Sequence, residues 1–350
     1  MSRKISIAGR EIGVDYPPYI IAELSANHNG KLETALKIIE EAHRAGADAI
    51  KLQTYTADTI TLNCDSDEFQ IRGGLWNGKT LYQLYQEAHM PWEWHAPLFE
   101  YAKSIGITIF SSPFDYTAVD FLEDLNTPAY KIASFEAVDL PLIKYAASTG
   151  KPLIISTGMA NDEEIEEAIE AARDGGCQEL AVLHCVSGYP AAPNDYNLYT
   201  LADMRNRFGL VTGLSDHTLD NTTAIASIAL GSSIVEKHFT LNRNGGGPDD
   251  SFSLEPKELA QLCTDTKTAW SALGRVDYGQ KSSEQGNLKF RRSLYFVKDL
   301  NSGDIITKEA VRSVRPGFGL PPKMLESIIG KKVKSDVKAN TPITTSHINL

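Results

Sequence analysis

The sequence predicts an α/β protein, a (β/α)8 TIM barrel followed by a small β-rich module. Three observations carry that prediction. Eight short runs rich in Ile, Val and Leu recur between residues 19 and 238 with little strict alternation, as strands buried on both faces of a parallel sheet require. A stretch with helical spacing follows each run. Beyond residue 275 the pattern changes to a polar linker and then short strand-like pieces. An open doubly wound sheet is the alternative, but eight βα units favour closure.

The expected strands are YIIAEL (19–24), ADAIKLQ (47–53), ITIFSS (107–112), AYKIAS (129–134), PLIIST (152–157), LAVLHC (180–185), LVTGLS (210–215) and SIVEKH (233–238). Between them, LETALKIIEEAHRA (32–45) repeats apolar residues at helical spacing and stops at Gly46. Residues 161–173 open with acids in the first turn, as a helix N-terminus prefers. A last long helix runs from Glu255 to Leu273. The stretch 54–106 is too long for a simple crossover and predicts a loop and an extra helix over one end of the barrel. The expected domains are a barrel over 1–275, a linker over 276–288 and a module over 289–350.

Composition removes whole classes of function. With 34 Lys+Arg against 45 Asp+Glu the formal charge is −11, which argues against general binding to nucleic acid or anionic lipid. No apolar run approaches the ~18 residues of a membrane span, and the first residues turn polar too soon for a secretory leader. Cys64, Cys177, Cys185 and Cys263 are scattered, so free thiols in a cytoplasm are expected.

In a barrel of this kind the polar residues at C-terminal strand ends face the active site. Almost every expected strand ends in them: Glu23, then Ser25; Lys51 and Gln53; Ser111 and Ser112; Lys131, Ser134 and Glu136; Ser156; Cys185 and Tyr189; Ser215, Asp216 and His217; Glu236 and His238. Lys51 and Lys131 lie inside apolar runs, where an unpaired ammonium is costly. Either they pair with glutamates inside the barrel, or they hold the anionic groups of a substrate, with Ser134, Ser156 and Ser215 as donors. Glu23 is either the partner of Lys51 or a proton-transfer group. His217 and His238 end adjacent strands, which suits either a divalent metal with open positions or two buried, hydrogen-bonded imidazoles. Asp216 is placed to support His217. The loop GGGPDDSF (245–252) offers Asp249 and Asp250 either to a substrate or to solvent. Cys185 reads as a core thiol with no base placed to activate it.

The motifs IAELSANHNG, KLQTYTADTITLN, FSSPFD, YKIASFE, IISTGMA, GLSDHT and VEKHFTL resemble, in order and spacing, the sialic acid synthase family. The tail RRSLYFVKDLNSGDIIT…VRSVRPGFGL resembles that family's antifreeze-like (SAF) domain. The likeness spans roughly residues 15–350. Within the family, QTYTADTITL, the stretch IRGGLWNGKTLYQLYQEAHMPWEWH and GGGPDDSFSLEP resemble the pseudaminic branch; the GPDH pattern of the N-acetylneuraminate branch has Asp250 at its last position here.

This resemblance implies condensation of phosphoenolpyruvate with an open-chain amino-sugar aldehyde, giving a nine-carbon 2-keto acid and phosphate with C–O cleavage. In the pseudaminic branch the acceptor is a 2,4-diacetamido-2,4,6-trideoxy-altrose. It implies that Lys51, Ser111, Lys131, Ser134, Ser156 and Ser215 hold phosphoenolpyruvate. His217 and His238 would bind a divalent cation, Mn²⁺ first and Mg²⁺ or Co²⁺ as alternatives. Glu23 would transfer a proton or orient water, and Gln53, Glu136, Tyr189 and Asp250 would contact the sugar. Arg315 would reach the site of a neighbouring copy in a domain-swapped homodimer. Other readings are an N-acetylneuraminate or legionaminic acid synthase, a Schiff-base aldolase using Lys51 or Lys131, and a non-catalytic sugar-binding protein.

Overall fold

The computed structural model describes residues 4–348. Strands β1 (Ile5–Ile7) and β2 (Arg10–Ile12) form an antiparallel hairpin, a pairing the sequence reading had not made. Its turn places Ala8 and Gly9 at φ 49° and 81°, and only glycine adopts such values without strain. Ile5, Ile7 and Ile12 are buried in one cluster with Tyr19, Ile21, Ala49, Ala129, Val211 and Ile234. The hairpin therefore plugs the N-terminal end of the barrel with hydrocarbon and leaves the opposite end to polar side chains.

The eight expected strands are all present: β3 (Tyr19–Glu23), β4 (Ala49–Thr54), β5 (Thr108–Pro113), β6 (Tyr130–Ile132), β7 (Leu153–Ser156), β8 (Leu180–Cys185), β9 (Val211–Ser215) and β10 (Ile234–His238). They pair in parallel and close, β10 against β3. Helix α1 (Leu32–Ala45) follows β3 and ends at Gly46 with φ 89°. Between β4 and the crossover helix lie the extra pieces expected there, α2 (Ala57–Ile60) and α3 (Leu81–Ala88), before α4 (His95–Ile105) returns the chain. The Thr80 hydroxyl accepts from the Gln83 amide and starts α3. The remaining crossovers are α5 (Tyr116–Asp124), α6 (Leu140–Ala147), α7 (Asp162–Asp174), α8 (Tyr199–Phe208), α9 (Thr222–Ala229) and α10 (Pro256–Leu273). Helix α7 opens on a capping box of Asn161 and Glu164.

Each crossover helix buries one apolar face against the outside of the strands, as Ala35, Ile38, Ile39 and Ala42 do on α1. A Cβ at Gly213 would stand 2.5 Å from the Ile234 carbonyl oxygen and 2.6 Å from Leu183 Cδ2, so β9 carries a glycine there. Among the described residues no helix is long and apolar enough to cross a membrane.

The chain divides into two compact units, one ending at Gly274 and one beginning at Arg275. Residues Ser282–Phe290 of the second wind into exposed 3-10 turns. Strands β11 (Ser293–Phe296) and β12 (Val311–Val314) then pair antiparallel, and α11 (Leu325–Ile328) follows. Leu294, Phe296, Ile306, Ile328, Ile343 and their neighbours give this unit its own core.

Candidate active site

Alternation along each strand decides which side chains enter the barrel. The register pairs Glu23 with Lys51 and Ser215 with Glu236, and all four point inward at the C-terminal end. With Lys131, Gln53, Ser134, Tyr189, His217 and His238 they line a cavity of about 50 Å³. The same register sets Gln53 beside Ser112 and turns Ser111 outward. Ser111 Oγ lies 2.6 Å from Thr54 Oγ1, which in turn contacts His95 Nε2 at 2.9 Å. This corrects the assignment of Ser111 as an anion ligand: Ser112 is the one that accepts from Lys51 Nζ, at 3.3 Å.

Both lysines have carboxylate partners. Lys51 Nζ is 2.5 Å from Glu23 Oε2, and Lys131 Nζ donates to Glu236 Oε1 at 3.0 Å. Lys51 Nζ also approaches Glu236 Oε1 at 3.9 Å, so two cations and two carboxylates form one buried quartet. Burial pushes the Glu23 carboxyl up to about 7, against the pull of Lys51. Burial acts on Glu236 in the same sense, but Lys131 and Lys51 together hold it below the usual range. Glu236 is a residue to which sequence reasoning attached no role, although it stands two positions before His238 on one strand face. Ser156 Oγ is buried with no hydrogen-bond partner among the described residues.

The rings of His217 and His238 stand 5.4 Å apart, with the Tyr189 ring 4.4 Å from the first and 6.0 Å from the second. His217 Nδ1 is 2.8 Å from the Val186 carbonyl oxygen, so Nδ1–H donates there and Nε2 is left for another partner. Its main chain is held as well, since the His217 amide donates to Tyr196 Oη at 2.7 Å. Asp216 does not support the His217 ring, as the sequence suggested. Its carboxylate accepts from Lys237 Nζ at 2.9 Å and from the Thr218 amide, and Val186 takes the supporting role. Cys185 Sγ lies 3.9 Å from His217 Nδ1, a nitrogen whose hydrogen is already given to Val186. Burial, reinforced by His217 and Lys51, keeps His238 neutral, well below the ordinary histidine range. His238 Nδ1 is buried without a hydrogen-bond partner among the described residues and is 3.8 Å from Asp249 Oδ2.

These features fit a divalent cation: two facing imidazoles, one neutral with an unpartnered nitrogen, one oriented by a carbonyl. Among the described residues there is no group of three or more His, Cys, Asp or Glu arranged to hold a metal ion; the two imidazoles are the nitrogen donors that face each other here.

A second cavity of about 360 Å³ opens beyond the first and shares Gln53, Phe135, Tyr189 and His238 with it. Gln53 Nε2 donates to Glu23 Oε1 at 2.9 Å and to Ser25 Oγ at 3.0 Å. Ser25 Oγ donates to Asp249 Oδ2 at 2.5 Å. Glu136 also lines this space, and burial pushes its carboxyl up to about 7 despite Lys131. Asp250 lines neither cavity: its carboxylate accepts from Thr240, Asn29 and the Gly247 amide and folds the loop on itself. Asp249, one position earlier, is the carboxylate that faces the site, which corrects the choice of Asp250. Arg315 lies just past β12 on the smaller unit and is exposed.

The NeuB family model matches residues 38–278, and a SAF domain model matches residues 291–349. Pseudaminic acid synthase from Campylobacter jejuni subsp. jejuni serotype O:23/36 is 44% identical over 326 residues, 93% of this chain and 94% of that protein. The pseudaminic acid synthase of Helicobacter pylori is 43% identical over 334 residues, 95% of this chain and 98% of that protein. The crystal structure of N-acetylneuraminic acid (sialic acid) synthetase from Leptospira borgpetersenii serovar Hardjo-bovis, in complex with citrate, superposes with a TM-score of 0.74 at 32% identity, covering 82% of this chain and 96% of that one. The barrel, its strand-end residues and these matches along most of the sequence make one statement: the chain belongs to the NeuB family, with a SAF domain at its C-terminal end.

Proposed function

We propose that this protein is a pseudaminic acid synthase, a transferase that condenses phosphoenolpyruvate with 2,4-diacetamido-2,4,6-trideoxy-altrose in its open-chain form. The observation that carries the reading is the pair of buried ammonium groups, Lys51 and Lys131, in the same small cavity as His217 and His238. Its extensive likeness to two pseudaminic acid synthases selects the acceptor over those of the N-acetylneuraminate and legionaminate branches.

The carboxylate and phosphate of phosphoenolpyruvate need cations and donors. Lys51 and Lys131 supply the charge, and Ser112, Ser134, Ser156 and Ser215 supply hydroxyls. The substrate's negative charge competes with Glu23 and Glu236 for the two ammoniums. The raised Glu23 carboxyl is the group poised to take a proton in that exchange. His217 and His238 would hold Mn²⁺, with Mg²⁺ or Co²⁺ as substitutes, and the cation supplies Lewis acidity toward the aldehyde oxygen. Gln53, Glu136, Tyr189 and Asp249 position the sugar so that its C1 faces C3 of the enol. The π pair of the enol forms the C3–C1 bond, the protonated Glu23 carboxyl gives its proton to the aldehyde oxygen, and C2 becomes electrophilic. Now ionised, Glu23 orients the water that adds to C2 and receives one of its protons; the C2–O(phosphate) bond then breaks as the C2 hydroxyl gives its proton to the departing phosphate and becomes the ketone. The product is the nine-carbon 2-keto acid.

We also propose that the chain works in the cytoplasm as a domain-swapped homodimer, in which Arg315 of one copy serves the site of the other. The deciding experiment offers phosphoenolpyruvate with the acceptors of the pseudaminic, N-acetylneuraminate and legionaminate branches and follows phosphate release. Release with the altrose acceptor, at least about tenfold above the others in kcat/KM, is expected. Preference for another acceptor, or release with none, overturns the reading. Chelation should abolish turnover, Mn²⁺ should restore it, and His217→Ala should no longer respond to Mn²⁺. Full activity after chelation overturns the metal assignment.

A further inference from the structure

The outer cavity has two unlike walls. Gln53, Glu136 and Asp249 make one of them polar. The other is built by the segment between β4 and α4, which contributes Ile60 from the end of α2, Trp76, and Leu84, Tyr85 and Ala88 from α3. Leu84 and Ala88 are one helical turn apart and so share a face. Among the described residues, this segment brings no charged side chain to the cavity. The wall is anchored at both edges. Trp76 Nε1–H donates to the Pro248 carbonyl at 3.0 Å, and the rings of Tyr55 and Tyr85 meet edge to face at 5.8 Å.

The reacting end of an acceptor sugar belongs in the deep cavity, near His217 and His238. A six-carbon chain that begins there carries its C6 end outward, because Gln53, Tyr189 and His238 are common to both cavities and mark the passage. We propose that the α2–α3 segment is a specificity wall for an apolar sugar terminus. It receives the C6 methyl of a 6-deoxy hexose against Ile60, Leu84 and Ala88 and disfavours a C6 hydroxyl there, because those three side chains carry no hydrogen-bonding group. This inference rests on the synthase reading above and adds to it the group that sets acceptor choice. Its expected size is bounded, since an apolar pocket rejects an added hydroxyl by only about 10- to 100-fold.

The test uses two acceptors that differ only at C6, methyl against hydroxymethyl, with both acetamido groups kept. The wild-type protein should favour the 6-deoxy sugar by about 10- to 100-fold in kcat/KM. Leu84→Gln should shrink that ratio to within a few-fold while leaving the KM for phosphoenolpyruvate unchanged, a split that general damage to the fold would not produce. Ala88→Ser, a smaller change on the same helix face, should shrink it in the same direction and serves if Leu84→Gln does not fold. Equal use of both acceptors by the wild-type protein, or an unchanged ratio in the folded variants, overturns the wall while phosphate release leaves the synthase reading standing. No release with either acceptor overturns that reading, and the wall with it.

Discussion

Glu136 shows how one carboxyl in this site can be read through stability as well as activity. Burial lifts it to about 7, and Lys131 only partly opposes this. The unfolded carboxyl titrates near its ordinary 4.5, so between that pH and about 7 the folded state holds a proton the unfolded state has lost. Stability contributed by this group therefore falls as pH rises through that window, and the loss is complete above it. Glu136→Gln removes the titration. Relative to wild type it should be unchanged at pH 4 and more stable at pH 8 by ~1–3 kcal/mol, read by urea unfolding at both values. A difference that does not change with pH refutes the burial argument.

Residue identity in this site was legible where chemistry was out of place: a lysine inside an apolar run announces a partner or a ligand. Which partner was not legible. Lys51 finds Glu23 on the adjacent strand, and Lys131 finds Glu236 across the interior of the closed barrel, from β6 to β10. Ser111 and Ser112 are chemically identical, and a shift of one position along a strand exchanges inside for outside. Asp249 and Asp250 pose the same problem in a loop, where no periodicity exists to choose between them.

At the scale of elements, β10 serves two faces. Glu236 and His238 enter the barrel, and Lys237 between them points the other way. There its ammonium donates to Asp216 Oδ2 at 2.9 Å and to the Thr218 and Asp220 carbonyls, both at 2.7 Å. Lys237 thus ties the loop that carries His217 to the strand that carries His238. Lys237→Met leaves the fully buried Asp216 carboxylate without its cation. It should cost ~3–5 kcal/mol in urea unfolding, because removing one member of a buried pair strands the other. A loss below ~1 kcal/mol would mean that the backbone contacts of His217 hold the loop unaided. The elements themselves were largely legible, since strands buried on both faces and helices with one apolar face have unlike periods. The hairpin of β1 and β2 was harder: at three residues each, its strands are too short for a period to register.

At the scale of the whole molecule, the proposed homodimer makes a prediction that separates action within a copy from action between copies. Arg315→Ala and His217→Ala should each be nearly inactive alone. Co-expressed in equal amounts, they should recover about a quarter of wild-type turnover, because half of randomly paired dimers are mixed and each mixed dimer has one intact site. No recovery from dimers verified by light scattering would place Arg315 at the site of its own chain. The acidic total of −11 is no obstacle to an anionic substrate. It sums the whole chain and speaks only against a broad basic surface, whereas the cations that matter are enclosed.

Composition and periodicity determined the barrel, the extra segment over its mouth, the separate C-terminal module and the crowd of polar residues at the strand ends. These are local properties, set by which side chains can be buried along a few consecutive residues. Tertiary structure decided the rest: Ser112 over Ser111, Asp249 over Asp250, Val186 over Asp216 behind His217, and the quartet that joins both lysines to both glutamates. Each of those choices depends on strand register, barrel closure and the loops they position, which bring together residues as distant in sequence as Glu23 and Glu236, through Lys51, or Ser25 and Asp249. No local window of sequence contains that information.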